Sequence, residues 1–102
     1  ELAKVYLVEG MGEDFIPENY DKKYIDHIET IYDKESLLMC RRLAKEEGLF
    51  CGSSAGAAVQ GLIQMKDSFK SGDLVVVVLH DHGSRYIGKI YNDDWMREKG
   101  FL

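Results

Sequence analysis

Five small residues, Gly52-Ser53-Ser54-Ala55-Gly56, stand where a short apolar run meets the start of a helical pattern. The first turn of a helix has unpaired N–H groups and the positive end of the helix dipole, so a polar or anionic ligand can bind there. One of the two serine hydroxyls can cap the helix while the other bonds a ligand. An ordinary serine cap beside glycines that allow tight packing fits the same spacing, and both interpretations are open at this point.

Two other polar or glycine-rich turns follow predicted strands. Gly10-Met11-Gly12 comes directly after the β-rich run 4–9, and its glycines favour positive φ or a close backbone approach. His80-Asp81-His82 comes directly after the apolar run 74–79. Because open α/β sheets bind ligands at the carboxyl ends of their strands, these turns and the serine turn predict a groove for a flat ligand.

Other kinds of chemistry have less support. His80, Asp81 and His82 could ligate a metal, but no third ligand is evident nearby, and catalytic zinc normally takes three. The sequence therefore predicts no metal site, and a metal hydrolase is the least favoured alternative. Neither Cys40 nor Cys51 has a histidine close in sequence, so a nucleophilic thiol is not predicted. The G-x-S-x-G, P-loop and H-E-x-x-H motifs do not occur.

Strand-like and helix-like segments alternate along the chain. Short apolar runs predict strands at 4–9, 49–51 and 74–79. Apolar residues at helical spacing predict helices at 33–48, 54–72 and 84–99. This order predicts an α/β fold, three-layer-like, with a mostly parallel sheet. Because the run 74–79 is apolar on both faces, it is predicted to be a central strand of a larger sheet, which makes residues 1–102 a single partial domain.

Composition narrows the class of protein. The chain has 102 residues, of which 45% are apolar and 30% charged, as in a soluble globular domain. Its formal net charge is −5 and its basic residues are scattered, so no nucleic-acid partner is predicted. No apolar run approaches the roughly 20 residues that span a bilayer, so no membrane partner is predicted. With two cysteines and no visible signal peptide, a reduced, cytoplasmic protein is expected.

Three stretches together resemble a known family. VEGMGEDFIP (8–17) and RLAKEEGLFCGSSAGA (42–57) are similar to the C-terminal half of the pyridoxal-phosphate-dependent cysteine synthase and cystathionine β-synthase family. The ending NDDWMREKGFL (92–102) is similar to the end of the cystathionine β-synthase catalytic core more than to cysteine synthase. The resemblance covers nearly the whole chain, in the order and at the spacing of the family.

The resemblance implies a fold and a set of cofactor contacts. Members of the family have the two-domain fold type II of pyridoxal-phosphate enzymes, with the cofactor in the cleft between the domains. One serine of the small-residue turn bonds the pyridine nitrogen, and the register places it at Ser54, with Ser53 as the alternative. Gly10 and Gly12 are then expected to line the cofactor's edge and the substrate pocket, and Asp81 to lie close to the ring end of the site.

The resemblance also implies a reaction. A serine hydroxyl carries no charge comparable to an aspartate partner, so the pyridine nitrogen is expected to stay neutral and the ring to be a weaker electron sink. Such a sink suits β-replacement, in which serine or an activated serine is joined to homocysteine or sulfide. The substrate is thus a small amino acid, and the full-length enzyme is expected to be a homodimer.

The chain differs from the family at single positions, and it lacks several of the family's functional segments. Glu13 stands where relatives carry an aromatic or small residue, and His80 stands where many have proline. The lysine that forms the Schiff base, the substrate loop with its asparagine and the phosphate cradle belong to earlier parts of the family's chains. No lysine here has the matching context, so no catalytic residue is assigned and the chain is expected to be inactive alone. The alternatives are a non-catalytic anion-binding module, a purely structural piece, and O-acetylserine sulfhydrylase in place of cystathionine β-synthase.

Overall fold

Three α-helices form the framework of the part of the chain that the structure describes. A computed structural model describes residues 6–12 and 15–102. The helices are α1 (Asp33–Glu47), α2 (Ser53–Gln64) and α3 (Asp93–Glu98), and short 3-10 helices lie at Lys22–Tyr24, Lys66–Ser68 and Gly83–Tyr86. Within these described ranges, no helix combines the length and the apolar character that crossing a bilayer requires. Glu13 and the first two residues of the predicted strand 4–9 lie outside the described residues.

The bounds of α1 follow from local chemistry. Asp33 and Glu35 stand in the first turn, where acidic side chains complement the positive end of the helix dipole. Gly48 ends the helix in the left-handed conformation at φ 69°, and its N–H donates to the carbonyl of Leu43. The predicted helix with its stop at Gly48 is therefore confirmed.

Two residues near the beginning of the chain, Leu7 and Val8, are hydrogen-bonded to the start of α1. The carboxylate of Asp33 accepts hydrogen bonds from the Leu7 N–H at 2.8 Å and the Val8 N–H at 3.2 Å. These two bonds satisfy backbone donors that no strand partner takes up among the described residues. They also fix the position of the glycine turn that follows Val8.

Helices α1 and α2 pack closely because one residue between them has no side chain. A Cβ built at Gly56 would lie 2.2 Å from the carbonyl oxygen of Ser36 and 2.4 Å from Cys40 Sγ. The main buried cluster gathers around this contact and includes Val8, Leu37, Cys40, Ala57, Tyr86, Ile90 and Met96. The chain from 81 to 102 therefore packs back onto the helix pair.

The predicted parallel sheet is not observed. Residues 6–12 and 15–102 contain no β-strand, and an isolated antiparallel bridge joins Cys51 to His82. The apolar run 74–79 lies exposed, with Leu74 91%, Val76 78% and Val78 64% accessible. A strand forms only when a neighbour satisfies its N–H and C=O groups, and the described chain places no neighbouring strand beside this run.

Two predicted helices have different bounds in the structure. α2 ends at Gln64, eight residues before Gly72, because the Met65 N–H bonds the carbonyls of Gly61 and Leu62 and tightens the last turn. The helix predicted from 84 to 99 is split into the 3-10 helix at 83–86 and α3. The Asn92 side chain accepts a hydrogen bond from the Trp95 N–H and so starts α3 as a new helix.

The buried thiol of Cys40 makes the stability of the fold depend on pH in the alkaline range. Its Sγ donates to the carbonyl of Gly52 at 3.1 Å, and burial raises the pKa of the thiol from 9.0 to about 12. The folded state favours the protonated form, so this contribution is present below about pH 9 and is lost as the pH rises towards 12. We expect the free energy of unfolding to fall less steeply above pH 9 in Cys40→Ala than in the wild type, as measured by urea denaturation. Equal slopes in the two proteins would contradict this assignment.

Candidate functional site

Three of the four residues predicted to bind the cofactor line one cavity. Ser54, Gly10 and Asp81 border a cavity of about 550 Å³ at the start of α2. Its other lining residues are Glu9, Met11, Ile31, Ala57, Ala58, His80, Arg85 and Tyr86. Gly12 instead lines a neighbouring cavity of about 230 Å³ that shares Met11, Ile31 and Ala57 with the first. The three turns singled out in the sequence thus meet in space, although no sheet edge aligns them.

The two serines of the small-residue turn have different surroundings. Ser53 is fully buried, and its Oγ accepts a hydrogen bond from the Glu9 N–H at 3.1 Å. Ser54 is half-buried on the cavity wall, and the described residues supply no hydrogen-bond partner for its hydroxyl. Ser53 therefore joins the 7–12 segment to α2, whereas Ser54 belongs to the wall of the cavity.

The glycines of the site are required by close approaches and by backbone conformation. A Cβ at Gly52 would lie 1.8 Å from Asp81 Oδ1 and 2.6 Å from the ring of Tyr86. The N–H of Gly52 also donates to the Asp81 carbonyl at 3.0 Å. Gly10 and Gly12 have φ values of 80° and 78°, so the predicted positive-φ turn is confirmed.

The carboxylate of Asp81 is held by two side chains from the 3-10 helix that follows it. The hydroxyl of Tyr86 donates to Oδ2 at 2.7 Å, and Arg85 Nη1 lies 3.4 Å from the same oxygen. Asp81 Oδ1 is buried, and the described part of the chain offers it no hydrogen-bond partner. Burial, followed by the bond to Asp81, raises the pKa of Tyr86, so its hydroxyl keeps its proton at neutral pH.

Sequence reasoning missed Tyr86 and Arg85 as site residues. The apolar pattern predicts a helix from 84 to 99 and gives these two residues no reason to face the cavity. The available signal was their spacing, since Arg85 and Tyr86 follow Asp81 by four and five residues and can fold back on it in one turn.

The mouth of the cavity carries charge of both signs. The carboxylate of Glu9 lies 3.2 Å from Lys89 Nζ and 3.8 Å from Arg85 Nη2. All three side chains are at least 45% exposed, so solvent screens these ion pairs and they contribute little to stability. They keep the rim of the cavity polar.

The histidine turn and the cysteines do not form a second reactive site in the described residues. In residues 6–12 and 15–102, no three His, Cys, Asp or Glu side chains are grouped so that they could hold a metal ion. His82 Nδ1 accepts a hydrogen bond from the Ser84 N–H at 3.2 Å, and its ring packs edge-on against Phe50. Burial raises the pKa of both thiols, Cys40 and Cys51, so both stay protonated at neutral pH.

Sequence comparison matches most of the chain to one enzyme family. A profile described as "Pyridoxal-phosphate dependent enzyme" matches residues 2–81. Cystathionine beta-synthase of Dictyostelium discoideum is 44% identical over 99 residues, which are 97% of this chain and 20% of that protein. Cystathionine beta-synthase of Oryctolagus cuniculus is 41% identical over 97 residues, which are 95% of this chain and 18% of that protein. The chain thus spans about a fifth of the length of these curated relatives.

Solved structures agree with the sequence matches. O-ureido-L-serine synthase superposes with a TM-score of 0.79 at 28% identity, over 92% of this chain and 32% of that chain. Cysteine synthase from Entamoeba histolytica superposes with a TM-score of 0.74 at 32% identity, over 85% of this chain and 26% of that chain. The resemblance first identified in the sequence motifs is therefore confirmed.

Proposed function

Because this chain belongs to the family of pyridoxal-phosphate-dependent enzymes, we propose that it forms one wall of the cofactor site in a longer enzyme of β-replacement. The family's cofactor is pyridoxal phosphate. The similarity to two cystathionine beta-synthases, at 44% and 41% identity, favours a protein of that type. The chain would be the C-terminal portion of the catalytic core.

The observation that carries this proposal is the hydroxyl of Ser54. Ser54 lines a cavity at the first turn of α2, beside the Gly10 turn and Asp81. The volume of about 550 Å³ falls within the range of roughly 300–1,000 Å³ that is usual for small-molecule sites. The lining offers a serine hydroxyl that a ring nitrogen could accept from, and it includes no lysine, so this wall would hold the ring and leave covalent attachment to another part of the protein.

When bound, pyridoxal phosphate supplies an electron sink that lets the β-substituent of an amino acid leave and a thiol take its place. Ser54 would keep its proton on Oγ and would donate a hydrogen bond to the ring nitrogen of the bound cofactor. The first-turn N–H groups of α2 add positive potential at the same point, which would oppose protonation of that nitrogen. The Ser54 wall would therefore favour a neutral ring nitrogen, which suits β-replacement.

The residues around Ser54 would orient the amino-acid substrate. Gly10 brings backbone rather than a side chain to the cavity wall, which leaves room for a ligand. We propose serine or an activated serine as the first substrate, with homocysteine or sulfide as the thiol. The likeness to cysteine synthase, with a TM-score of 0.74, keeps O-acetylserine sulfhydrylase as the second candidate. Parallel assays with homocysteine and with sulfide separate the two.

The exposed run 74–79 supports the proposal that residues 1–102 are one part of a larger domain. Leu74, Val76 and Val78 leave large apolar side chains in solvent, which a complete domain would bury. We propose that this run pairs as a parallel strand with other segments of the complete protein, and that the complete protein is a homodimer. The free thiols of Cys40 and Cys51 support a reducing, cytoplasmic compartment.

Adding the cofactor to two forms of the protein tests this function. We expect the complete protein to turn yellow with pyridoxal phosphate, and borohydride to fix the cofactor on a lysine outside residues 1–102, as located by mass spectrometry. The 102-residue chain should show only the scattered, partial labelling that any exposed lysine undergoes, with no stoichiometric borohydride-stable adduct at one position, because the cavity lining contains no lysine. An adduct on a lysine of this chain at the Ser54 cavity would contradict the proposal. Stabilisation of the chain by inorganic phosphate alone would favour the anion-binding module instead.

A further inference from the structure

We infer that Tyr86 is a positioning residue of the Ser54 site, whose buried hydroxyl fixes the Asp81 carboxylate against the first turn of α2. The inference rests on the proposed function, because it concerns the wall that is proposed to hold the cofactor. It adds a residue that neither the sequence motifs nor the family resemblance singled out.

The hydroxyl of Tyr86 has two polar side-chain neighbours, the Asp81 carboxylate, to which it donates, and the Ser53 hydroxyl, which acts on the pKa of Tyr86 in the opposite direction. The side chain is 3% exposed, and its hydroxyl donates to Asp81 Oδ2 at 2.7 Å. A buried hydrogen bond to a charged acceptor is stronger than one between neutral groups, so it holds the carboxylate in a single orientation. The other neighbour of that oxygen, Arg85 Nη1, is 3.4 Å away on a side chain that is 65% exposed, and it restrains Asp81 much less.

The fixed carboxylate lies against the residue that caps α2. Asp81 Oδ1 occupies the space that a Cβ of Gly52 would fill, at 1.8 Å from that position. The backbone of Asp81 is joined to the same glycine, because the Gly52 N–H donates to the Asp81 carbonyl. Gly52 stands two residues before Ser54, so a negative charge is held at the start of the helix whose first turn carries the Ser54 hydroxyl.

This placement sets the potential at the cavity wall. A carboxylate at a helix N-terminus is stabilised by the dipole and partly offsets the positive potential there. Without the Tyr86 hydroxyl, the carboxylate loses its one short side-chain bond and can swing away from Gly52 towards the exposed Arg85. The charge near the ring nitrogen would then no longer be fixed, although Ser54 itself is unchanged.

Tyr91 provides a matched control for the loss of one hydroxyl. Its hydroxyl also makes one short hydrogen bond, to the carbonyl of Cys51 at 2.5 Å, and its ring packs edge-on against Phe50. Tyr91 does not line the Ser54 cavity. Tyr86→Phe and Tyr91→Phe therefore each remove one short hydrogen bond from the same core, the first to a carboxylate and the second to a carbonyl, and only the first changes the cavity wall.

The test uses the complete protein and measures binding of pyridoxal phosphate by fluorescence titration, with the absorbance band of the bound cofactor as a second readout. We expect Tyr86→Phe to weaken cofactor binding by about ten-fold and to shift the absorbance band, and Tyr91→Phe to do neither. In an Asp81→Ala background, Tyr86→Phe should cause no further loss, because the hydroxyl acts through that carboxylate. If Tyr86→Phe does not fold, Asp81→Ala alone must weaken binding by a similar factor.

The contrary outcomes separate the inference from the proposed function. Wild-type binding together with unchanged binding in Tyr86→Phe would overturn the inference and leave the function intact. Equal losses in Tyr86→Phe and Tyr91→Phe would reduce Tyr86 to a structural role and also overturn it. Failure of the wild-type protein to bind pyridoxal phosphate would instead refute the proposed function on which the inference rests.

Discussion

Gly56→Ala is expected to destabilise the protein by about 2 kcal/mol or more, since overpacking a dense core typically costs about 1–3 kcal/mol. The added methyl group would lie 2.2 Å from the Ser36 carbonyl oxygen and 2.4 Å from Cys40 Sγ, so α1 must move away from α2. Alanine regains up to roughly 1 kcal/mol of helix propensity relative to glycine, which offsets only part of the strain. The free energy of unfolding, measured by urea denaturation of the complete protein, gives the net effect.

Gly88→Ala is the matched control for this substitution. Gly88 is exposed, and a Cβ built there meets no atom within 4 Å. Its replacement should leave stability within about 0.5 kcal/mol of the wild type. If Gly56→Ala were as stable as Gly88→Ala, the close approach of the two helices would not exist as described.

The helix pair could be predicted because its determinants are local. The apolar spacing of α1 and the stop at Gly48 depend on residues within a few turns of one another. The close contact at Gly56 could not be predicted, because it depends on which face of α1 lies opposite α2. Glycine in a helix normally lowers stability, so its presence there indicated only that some close approach was needed.

The sheet could not be settled from the sequence of this chain. The run 74–79 has the composition of a central strand, but a strand is defined by partners, and composition does not supply them. The described residues place no strand beside it, so apolar side chains such as Leu74 stay in solvent. The split of the predicted helix 84–99 has a similar cause, since Asn92 starts a new helix through a local side-chain bond.

The sequence predicts which turns form the candidate site, but it does not predict the hydrogen bonds that hold those turns together. Ser54, Gly10 and Asp81 were named from strand ends and family resemblance, and all three line the same cavity. Gly12 lines the adjacent cavity instead. The bond from the Glu9 N–H to Ser53 could not be predicted, because the two residues lie in distant segments. The bond from Tyr86 to Asp81 could not be predicted either, because it depends on a turn that the apolar pattern does not indicate.

If the complete protein catalyses the proposed β-replacement, Ser54→Ala is expected to lower its rate by roughly 10- to 100-fold, the effect of losing one positioned hydrogen bond in a partly buried site. Alanine is a good helix former, and the described residues give the Ser54 hydroxyl no partner to lose, so stability should change by less than about 0.5 kcal/mol. Steady-state kinetics with serine and homocysteine or sulfide, together with urea denaturation of the same preparations, measure both effects.

Ser53→Ala should show the opposite pattern, with a loss of stability and a much smaller loss of rate. Its Oγ accepts from the Glu9 N–H at 3.1 Å in a fully buried position, so alanine leaves a backbone donor without its partner. The expected cost is about 1–3 kcal/mol of stability. Because Ser53 does not line the cavity, the rate per folded molecule should fall much less than in Ser54→Ala. A large rate loss in Ser53→Ala with Ser54→Ala fully active would reverse the two roles and move the proposed ring contact to position 53.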